Sequence, residues 1–376
     1  MLRGRRFDEV LDIVARICGI CPIAYQMSGV HAVENALGIA VDAATRALRR
    51  LFYCGEWIQS HALHIVMLHA PDFLGYPDAI TMARDHGAAV ERALALKKTG
   101  NELIRLLGGR AIHPINARIG GFYRVPSRAE LAPVEEALKQ ARDRAIDTLR
   151  WVAGFTFPEC ARNYEFVALR HSDEYPMNEG KIVSSAGLDI AVTDYETAFI
   201  ERQVPHSTAL HSVMKQRGAY LVGPMARYAL NRDRLPAEIC ALADEVGLEP
   251  VCRNPFRSIL VRAIEVVYAC DEALRLIATY EPPARPFIAS EPRAAVGHAC
   301  TRRRAGSSIT AIALMRRARS LTPASCRRRH KTKASLKKIC GRLRMPPSIS
   351  KTMHCKPGAS KASATMTLAF PARRIS

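Results

Sequence analysis

The distribution of charge divides this chain near residue 301 and limits where a folded core can form. The chain has 376 residues, with 55 Lys and Arg against 35 Asp and Glu, a formal net charge of +20. Residues 301–376 contain 20 of the basic residues and no acidic residue, so the two signs balance over the first 300 residues. Because ordinary domains mix both signs, we expect one large domain over residues 1–301 and a disordered basic tail over residues 302–376.

The hydropathy pattern before the tail predicts a mainly α-helical (α+β) domain with small β elements. Apolar residues recur at helical spacing from Ile23 to Leu51 and from Pro133 to Trp151. Phe166–Leu169 and Lys181–Ser184 have the composition of short strands, and a helix is expected to resume at Ser207–Lys215. After Thr301 the chain has no clean helical or strand period.

Composition also indicates a cellular compartment. No apolar run approaches the roughly 18 residues that a membrane-spanning helix needs. The first ten residues, MLRGRRFDEV, lack the apolar stretch of a secretory signal. We therefore expect a cytoplasmic protein, in which the 11 cysteines are thiols or metal ligands rather than disulfides.

The sequence ARICGICPIAYQ contains a C-x-x-C pair, Cys18 and Cys21. Two sulfurs from one turn can bind one metal, and thiolates suit zinc, Fe–S clusters and nickel–iron centres. From spacing alone, a redox dithiol or half of a structural zinc site remains an equal alternative. None of the other nine cysteines forms a second pair. Buried, inert thiols are expected for those before the tail: Cys54, Cys160, Cys240, Cys252, Cys270 and Cys300.

The segment RICGICPIAYQMSGVHAVENALGI (Arg16 to Ile39) resembles the N-terminal metal-binding signature of nickel–iron hydrogenase large subunits. The proline and tyrosine after the pair resemble the soluble cytoplasmic branch of that family, whose enzymes couple to NAD(P) or a related carrier. Four further segments resemble the family in the same order: SHALHIVMLHAPDF (Ser60 to Phe73), HPINARIGGF (His113 to Phe122), LVGPMARYALN (Leu221 to Asn231) and AAVGHACT (Ala294 to Thr301).

The resemblance implies a function and a set of site residues. Cys18 would be a terminal nickel ligand, and Cys21 would bridge nickel to an iron that carries CO and cyanide. Ser60 and His61 fall where the family places groups that hydrogen-bond the cyanides. The implied reaction is reversible oxidation of H2, with electrons leaving through an Fe–S small subunit to NAD(P)- or carrier-linked subunits, after assembly by maturation proteins.

The resemblance also exposes two departures. Family members begin earlier, with a proton-gating glutamate and a ligand for a structural magnesium, so the domain is expected to be incomplete at its start and neither role is assigned here. The family's second pair lies in a C-terminal D-P-C-x-x-C-x-x-H string, which this sequence lacks. With two of four thiolates missing, we expect a catalytically incomplete chain.

The missing string can be recovered by reading each codon one base early. Met366–Thr367 has no freedom, because ATG followed by AC gives GAC, an aspartate codon. The tail TMTLAFPARRIS (Thr365 to Ser376) then allows YDPCISCATHF, and TRRRAG (Thr301 to Gly306) allows TEAPRG, both of which resemble family strings. The hypothesis is a frameshift, a one-base deletion at or near the codon of Thr301, which also accounts for the basic tail.

Several polar residues have both a functional and a structural interpretation. His61 and His64 lie one helical turn apart, which allows metal ligation, although core or hydrogen-bonded histidines are the expected outcome. Glu34, one turn after His31, could relay protons, but a solvated helix face is expected. Asp72 and Arg118 are expected to fix loops through charge-assisted hydrogen bonds.

Two other functional classes remain open. A metal-free, hydrogenase-like subunit of a respiratory complex would share the fold, but it has no use for Cys18 and Cys21. A nucleic-acid-binding protein with a basic arm would need aromatic side chains for base stacking, and the tail contains only Phe370. No G-x-G-x-x-G or Walker loop is present, so nucleotide chemistry would belong to a partner.

Overall fold

The computed structural model describes residues 2, 5–208, 210–291, 293–303, 306–314 and 373–375. Five long helices build its core: α2 (Pro22–Leu37), α3 (Ala43–Ala62), α6 (Gly87–Gly108), α7 (Arg128–Ala153) and α11 (Ser258–Ala278). Helix α3 packs against α6 and α11, and α7 packs against the same two helices. Most of α11 is buried, from Ser258 through Cys270, which places it at the centre of the apolar core.

Local sequence signals explain where the long helices begin and end. Asp42 caps α3 by accepting the N–H of Thr45 at 2.7 Å, and Ser127 with Glu130 forms a capping box at the start of α7. Gly109 ends α6 in the left-handed region, with φ 80°. The predicted helix over 23–51 is instead two helices, because Gly38 adopts φ 68° and ends α2.

The remaining helices are short. They are α1 (Val10–Ala15), α4 (Ala70–Leu74), α5 (Ala79–Met82), α8 (Tyr195–Ala198), α9 (Pro224–Asn231) and α10 (Ala237–Glu245). A π-helical segment, Leu63–His69, joins α3 to α4, and 3-10 turns cover Phe7–Glu9, Val192–Asp194, Arg232–Arg234 and Pro255–Arg257. None of the helices that the structure describes is long and apolar enough to cross a membrane.

The β structure is small and divided among four sheets. β1 (Ala117–Arg118) pairs with β2 (Gly121–Phe122), and β3 (Val167–Arg170), β4 (Lys181–Ser184) and β5 (Asp189–Ile190) form an antiparallel sheet. β6 (Phe199–Arg202) pairs with β7 (His211–Met214). The fold class and the strands at 166–169 and 181–184 are confirmed to within a residue. The helix predicted over 207–215 is wrong, because pairing with β6 makes His211–Met214 a strand.

The fourth sheet reaches into the region expected to be a low-order tail. β8 (Ala295–Arg303) pairs antiparallel with β9 (Gly306–Leu314), and β10 (Arg373–Ile375) pairs parallel with β9. The expectation of a tail without regular structure is therefore wrong for 302–303, 306–314 and 373–375. Inter-strand hydrogen bonds supply the order here that the local hydropathy pattern does not indicate.

Strand β8 lies along helix α2 and runs towards the start of that helix. The Arg293 side chain, just before β8, donates to the carbonyl of Leu37 at 2.9 Å. Gly297 lies against the α2 backbone, since a Cβ there would meet the Ala32 carbonyl oxygen at 2.0 Å. Thr301, fully buried, donates from its hydroxyl to the carbonyl of Ala24 at 3.1 Å. The strand thus carries the chain to within a turn of the C-x-x-C pair.

Candidate metal centre

The two cysteines of the C-x-x-C lie on the turn between α1 and α2. Cys21 is the residue that precedes the first turn of α2, and its N–H donates to Cys18 Sγ at 3.2 Å. Both side chains are partly exposed, and neither is joined in a disulfide. A position at a helix N-terminus favours the thiolate form of a cysteine. The turn therefore presents two sulfurs that can bind a soft or borderline metal.

Helix α3 holds this turn from one side. The side-chain amide of Gln59 donates to the carbonyl of Ile20, inside the C-x-x-C, at 2.7 Å. The buried carboxylate of Glu56 accepts the N–H groups of Ile23 and Ala24 at 2.8 and 3.2 Å. These are first-turn N–H groups of α2, which have no partner within the helix. The positions of Cys18 and Cys21 are thus determined by a buried helix rather than by the turn alone.

The loop between α6 and β1 holds the turn from another side. His113 Nδ1 lies 2.8 Å from the carbonyl oxygen of Ala15, at the end of α1. The amide of Gln26 in α2 donates to the carbonyl of Pro114 at 2.9 Å. His113 has φ 49°, which makes it the one non-glycine residue with positive φ in the part of the chain that the structure describes. The loop gains these contacts at the cost of that strained conformation.

Ser60 and His61, neighbours on α3, have different surroundings. Both are fully buried. Ser60 Oγ has no hydrogen-bond partner among the described residues, whereas His61 Nε2 lies 3.0 Å from Glu265 Oε2. Burial lowers the pKa of His61 to about 4, so this imidazole is neutral near pH 7. His61 is thus a core histidine, while the Ser60 hydroxyl retains the capacity to donate to another group.

The donor set near the cysteine turn fits half of a four-sulfur centre. In the described ranges no cluster of three or more His, Cys, Asp or Glu side chains could hold a metal. Two thiolates and the unpartnered Ser60 hydroxyl suit one side of a thiolate-bound metal, but two sulfurs do not close it. The second pair recovered from the shifted frame maps to residues 365–376, of which only the backbone of Arg373–Ile375 is described.

The other candidates from the sequence occupy structural positions. Glu34 is buried, so the expectation of a solvated face is wrong. Its carboxylate forms an ion pair with Arg49, at 2.6 and 2.8 Å, and accepts the N–H of Gly120 at 2.6 Å. The guanidinium of Arg118 stacks over the rings of Phe287 and Tyr123. Asp72 is exposed.

The structure pairs histidines that spacing alone did not. His64 and His69 lie with their Nε2 atoms 3.0 Å apart, although the sequence suggested His61 and His64 as neighbours. The π-helical segment causes this change of partner. Pro71, which lacks the N–H that an α-helix would use, is the signal in the sequence that regular helical bonding is interrupted there.

Comparison with known proteins finds relatives of one kind. The sequence profile of the family described as nickel-dependent hydrogenase matches residues 1–102. The alpha subunit of sulfhydrogenase 2 from Pyrococcus furiosus is 34% identical over 274 residues, which cover 73% of this chain and 64% of the relative. A subunit of the vhu F420-non-reducing hydrogenase from Methanococcus voltae is 28% identical over 309 residues, covering 73% and 71%. This chain therefore spans slightly less than two thirds of the length of the sulfhydrogenase relative.

Solved structures give the same result for the fold. An NAD+-reducing [NiFe]-hydrogenase in the H2-reduced state matches with a TM-score of 0.73 at 22% identity, over 81% of this chain and 74% of that one. A [NiFeSe]-hydrogenase of Dm. baculatum matches with a TM-score of 0.65 at 18% identity, over 83% and 78%. At these identities the likeness establishes the fold.

Proposed function

We propose that this chain, which belongs to the nickel-dependent hydrogenase large-subunit family, is the component that holds a nickel–iron centre for the reversible oxidation of H2. Cys18 and Cys21 would be the metal ligands that it contributes. The observation that carries the proposal is the cysteine turn, whose two sulfurs are held by α3 and by the His113 loop. A thiolate-bound nickel with CO- and cyanide-bearing iron would supply the chemistry of H2 cleavage.

The chain's own residues would position and surround that centre. Glu56 and Gln59 fix the backbone of the cysteine turn. Ser60, buried and with an unused hydroxyl, would donate a hydrogen bond to a ligand of the iron. His61 would act through packing, because its ring faces Glu265. A magnesium site, if the intact protein has one, would require residues to which this sequence assigns no role.

The proposed partners follow from the relatives. The sulfhydrogenase and F420-non-reducing relatives are named as single subunits of larger enzymes, and one structural neighbour is NAD+-reducing. We infer a cytoplasmic complex in which this chain binds an Fe–S small subunit, together with NAD(P)- or carrier-linked electron-transfer subunits, and which maturation proteins assemble. The present chain would contribute residues 1–301 as a hydrogenase domain that is incomplete at both ends.

We further propose that codons after Thr301 are read out of frame, so that residues 302–376 replace the segment that completes the centre. The direction of β8 supports this proposal, since it brings Thr301 into contact with Ala24, three residues after Cys21. Residues that follow Thr301 in the intact frame would therefore meet the cysteine turn. The complete lack of acidic residues in 301–376 points the same way. The chain with this tail would be inactive.

The proposal is tested by comparing this chain with a frame-restored version. Both are produced with the maturation proteins, and nickel, iron and H2-dependent dye reduction are measured. We expect one nickel per chain and activity in the restored version only, because two thiolates leave nickel exchangeable. Stoichiometric nickel in the chain with the present tail would contradict the frame proposal.

Variants of the restored chain test the site residues. The double variant Cys18→Ser, Cys21→Ser should bind no nickel, whereas Cys160→Ser, a partly exposed cysteine elsewhere, should retain nickel and activity. Nickel retained by the double variant would reject the metal assignment. Ser60→Ala should keep nickel but shift the infrared stretching bands of the cyanides. Unshifted bands would remove Ser60 from the site.

A further inference from the structure

The π-helical segment Leu63–His69 lies between two regular helices, α3 and α4. At its end the N–H of Ala70 bonds to the carbonyl of Ile65, five residues back. Residues five apart share a face in a π-helix, but in an α-helix of 3.6 residues per turn they do not. Only this local change of winding allows His64 and His69 to face each other. Single π-helical turns are rare in helices and are frequent at functional sites.

The two imidazoles are arranged as neighbouring ligands of one ion would be. Their Nε2 atoms lie 3.0 Å apart and their ring centroids 4.0 Å apart. Zinc–nitrogen bonds of about 2.0–2.1 Å place adjacent ligand nitrogens about 2.9–3.4 Å apart, depending on the coordination geometry. His69 is buried, with 2% of its surface exposed, whereas His64 is half-buried. An ion would therefore reach the pair from the side of His64.

We propose that His64 and His69 form a second metal site, which binds one borderline divalent cation, such as Zn2+, through both Nε2 atoms. Water would supply the remaining ligands, since no cluster of three or more protein ligands occurs in the described residues. Without the ion, the 3.0 Å contact is an N–H···N hydrogen bond, so one Nε2 carries a proton. On binding, that proton moves to Nδ1 of the same ring or leaves to water, because a metal needs the lone pair of each Nε2.

This site does not depend on the proposed hydrogenase activity. It uses no cysteine, and it lies on the π-helical segment rather than on the turn before α2. It can therefore be measured in a Cys18→Ser, Cys21→Ser background, in which the thiolate site is removed. Failure of the histidine site would leave the proposed function untouched, and failure of the proposed function would leave the histidine site untouched.

The test uses the full chain in the double-serine background, freed of metal and titrated with Zn2+ against a chromophoric competitor. We expect one zinc per chain, and His64→Gln should weaken binding by about tenfold or more, as loss of a direct ligand does at least as much harm as loss of a supporting group. His206→Gln is the matched control. Its ring faces His211 at a centroid distance of 5.4 Å, without the close nitrogen contact, and zinc binding should be unchanged.

A second measurement identifies the ligands directly. Cu2+ added at one equivalent should give an electron paramagnetic resonance spectrum with hyperfine splitting from two nitrogens, and His64→Gln should reduce this to one. His64 is the preferred position for substitution because it is half-buried, and circular dichroism should confirm that the variant keeps its helix content. Zinc binding that is absent, or that is the same in His64→Gln as in its parent, overturns the proposal.

Discussion

Two polar regions beside helix α3 differ in how far their groups are exposed. Around Glu265 in α11, Arg227 donates to both carboxylate oxygens at 2.5 and 2.6 Å, and Tyr175 donates at 2.8 Å. The carboxylate and the guanidinium are at most 1% exposed. At the cysteine turn the sulfurs are partly exposed, and Cys18 Sγ accepts a backbone N–H. The Glu265 cluster is closed, whereas the cysteine turn is open to an incoming group.

The difference teaches which region supports folding and which supports binding. In the Glu265 cluster one negative and one positive charge cancel, and the Arg227 guanidinium also lies 4.5 Å from the centre of the Trp57 ring. A second positive charge on His61 would have no counter-ion, which agrees with its lowered pKa. A closed, neutral cluster of this kind specifies one packing arrangement. Accessible sulfurs, as at the cysteine turn, are what a metal-binding site requires before the metal arrives.

The comparison predicts the largest loss of stability at Glu265. Glu265→Gln leaves Arg227 buried without a counter-charge, which should lower the free energy of unfolding by about 3–5 kcal/mol. Urea denaturation measures this change. Glu245→Gln is the control, because its ion pair with Arg150 is solvent-exposed and should contribute no more than about 1 kcal/mol. Similar losses in the two variants would show that the Glu265 cluster is not a closed unit.

Acid should destabilise the closed cluster through His61. Its pKa is about 4 in the folded protein and about 6.5 when unfolded. Between these values the unfolded chain binds more protons, so stability is fully present above pH 6.5 and decreases as the pH falls towards 4. The expected decrease is about 2–3 kcal/mol. Arg227 lowers the pKa of Glu265, whose contribution is likewise lost in acid.

Urea denaturation of the parent and of His61→Gln between pH 7 and pH 4.5 measures this effect. The variant should show a shallower decrease, although His31, whose pKa is also lowered by burial, still contributes. An equal slope in both proteins would mean that His61 does not titrate as the structure indicates.

A smaller effect is expected where β8 meets α2 and leads to the cysteine turn. In Gly297→Ala the new Cβ would lie 2.0 Å from the Ala32 carbonyl oxygen and 2.5 Å from the Ala36 nitrogen, so the strand must move. Overpacking of this kind costs about 1–3 kcal/mol, which thermal denaturation can detect. Val296→Ala, at a side chain that is 62% exposed on the same strand, should change stability by less. Equal effects would show that β8 does not dock on α2 through Gly297.

The smallest effect is expected at the open region itself. In the metal-free chain, Cys18→Ser should change the free energy of unfolding by no more than about 0.5 kcal/mol, since the side chain is partly exposed. Cys270→Ser places a hydroxyl in the centre of the core and should cost about 1–3 kcal/mol. Urea denaturation under reducing, metal-free conditions compares the two. A large loss for Cys18→Ser would mean that the turn is structural rather than a binding site.

Short-range signals were sufficient for part of this fold. The spacing of apolar residues and the glycine at 109 predicted where α6 ends, and Lys181–Ser184 forms the predicted strand. The C-x-x-C and the following segment indicated the metal-binding turn and the family. These features depend on residues a few positions apart, whose conformational preferences the sequence states directly.

Contacts between distant segments decided the rest. Pairing with β6 makes His211–Met214 a strand, and Arg49 with the Gly120 N–H makes Glu34 a buried ion-pair partner. The winding of Leu63–His69 turns His64 towards His69, and α11 draws His61 to Glu265. The sequence by itself determined the chemistry at Cys18 and Cys21. Only the tertiary structure decided which polar groups are closed off and which remain open, because burial and long-range pairing depend on where remote parts of the chain come to lie.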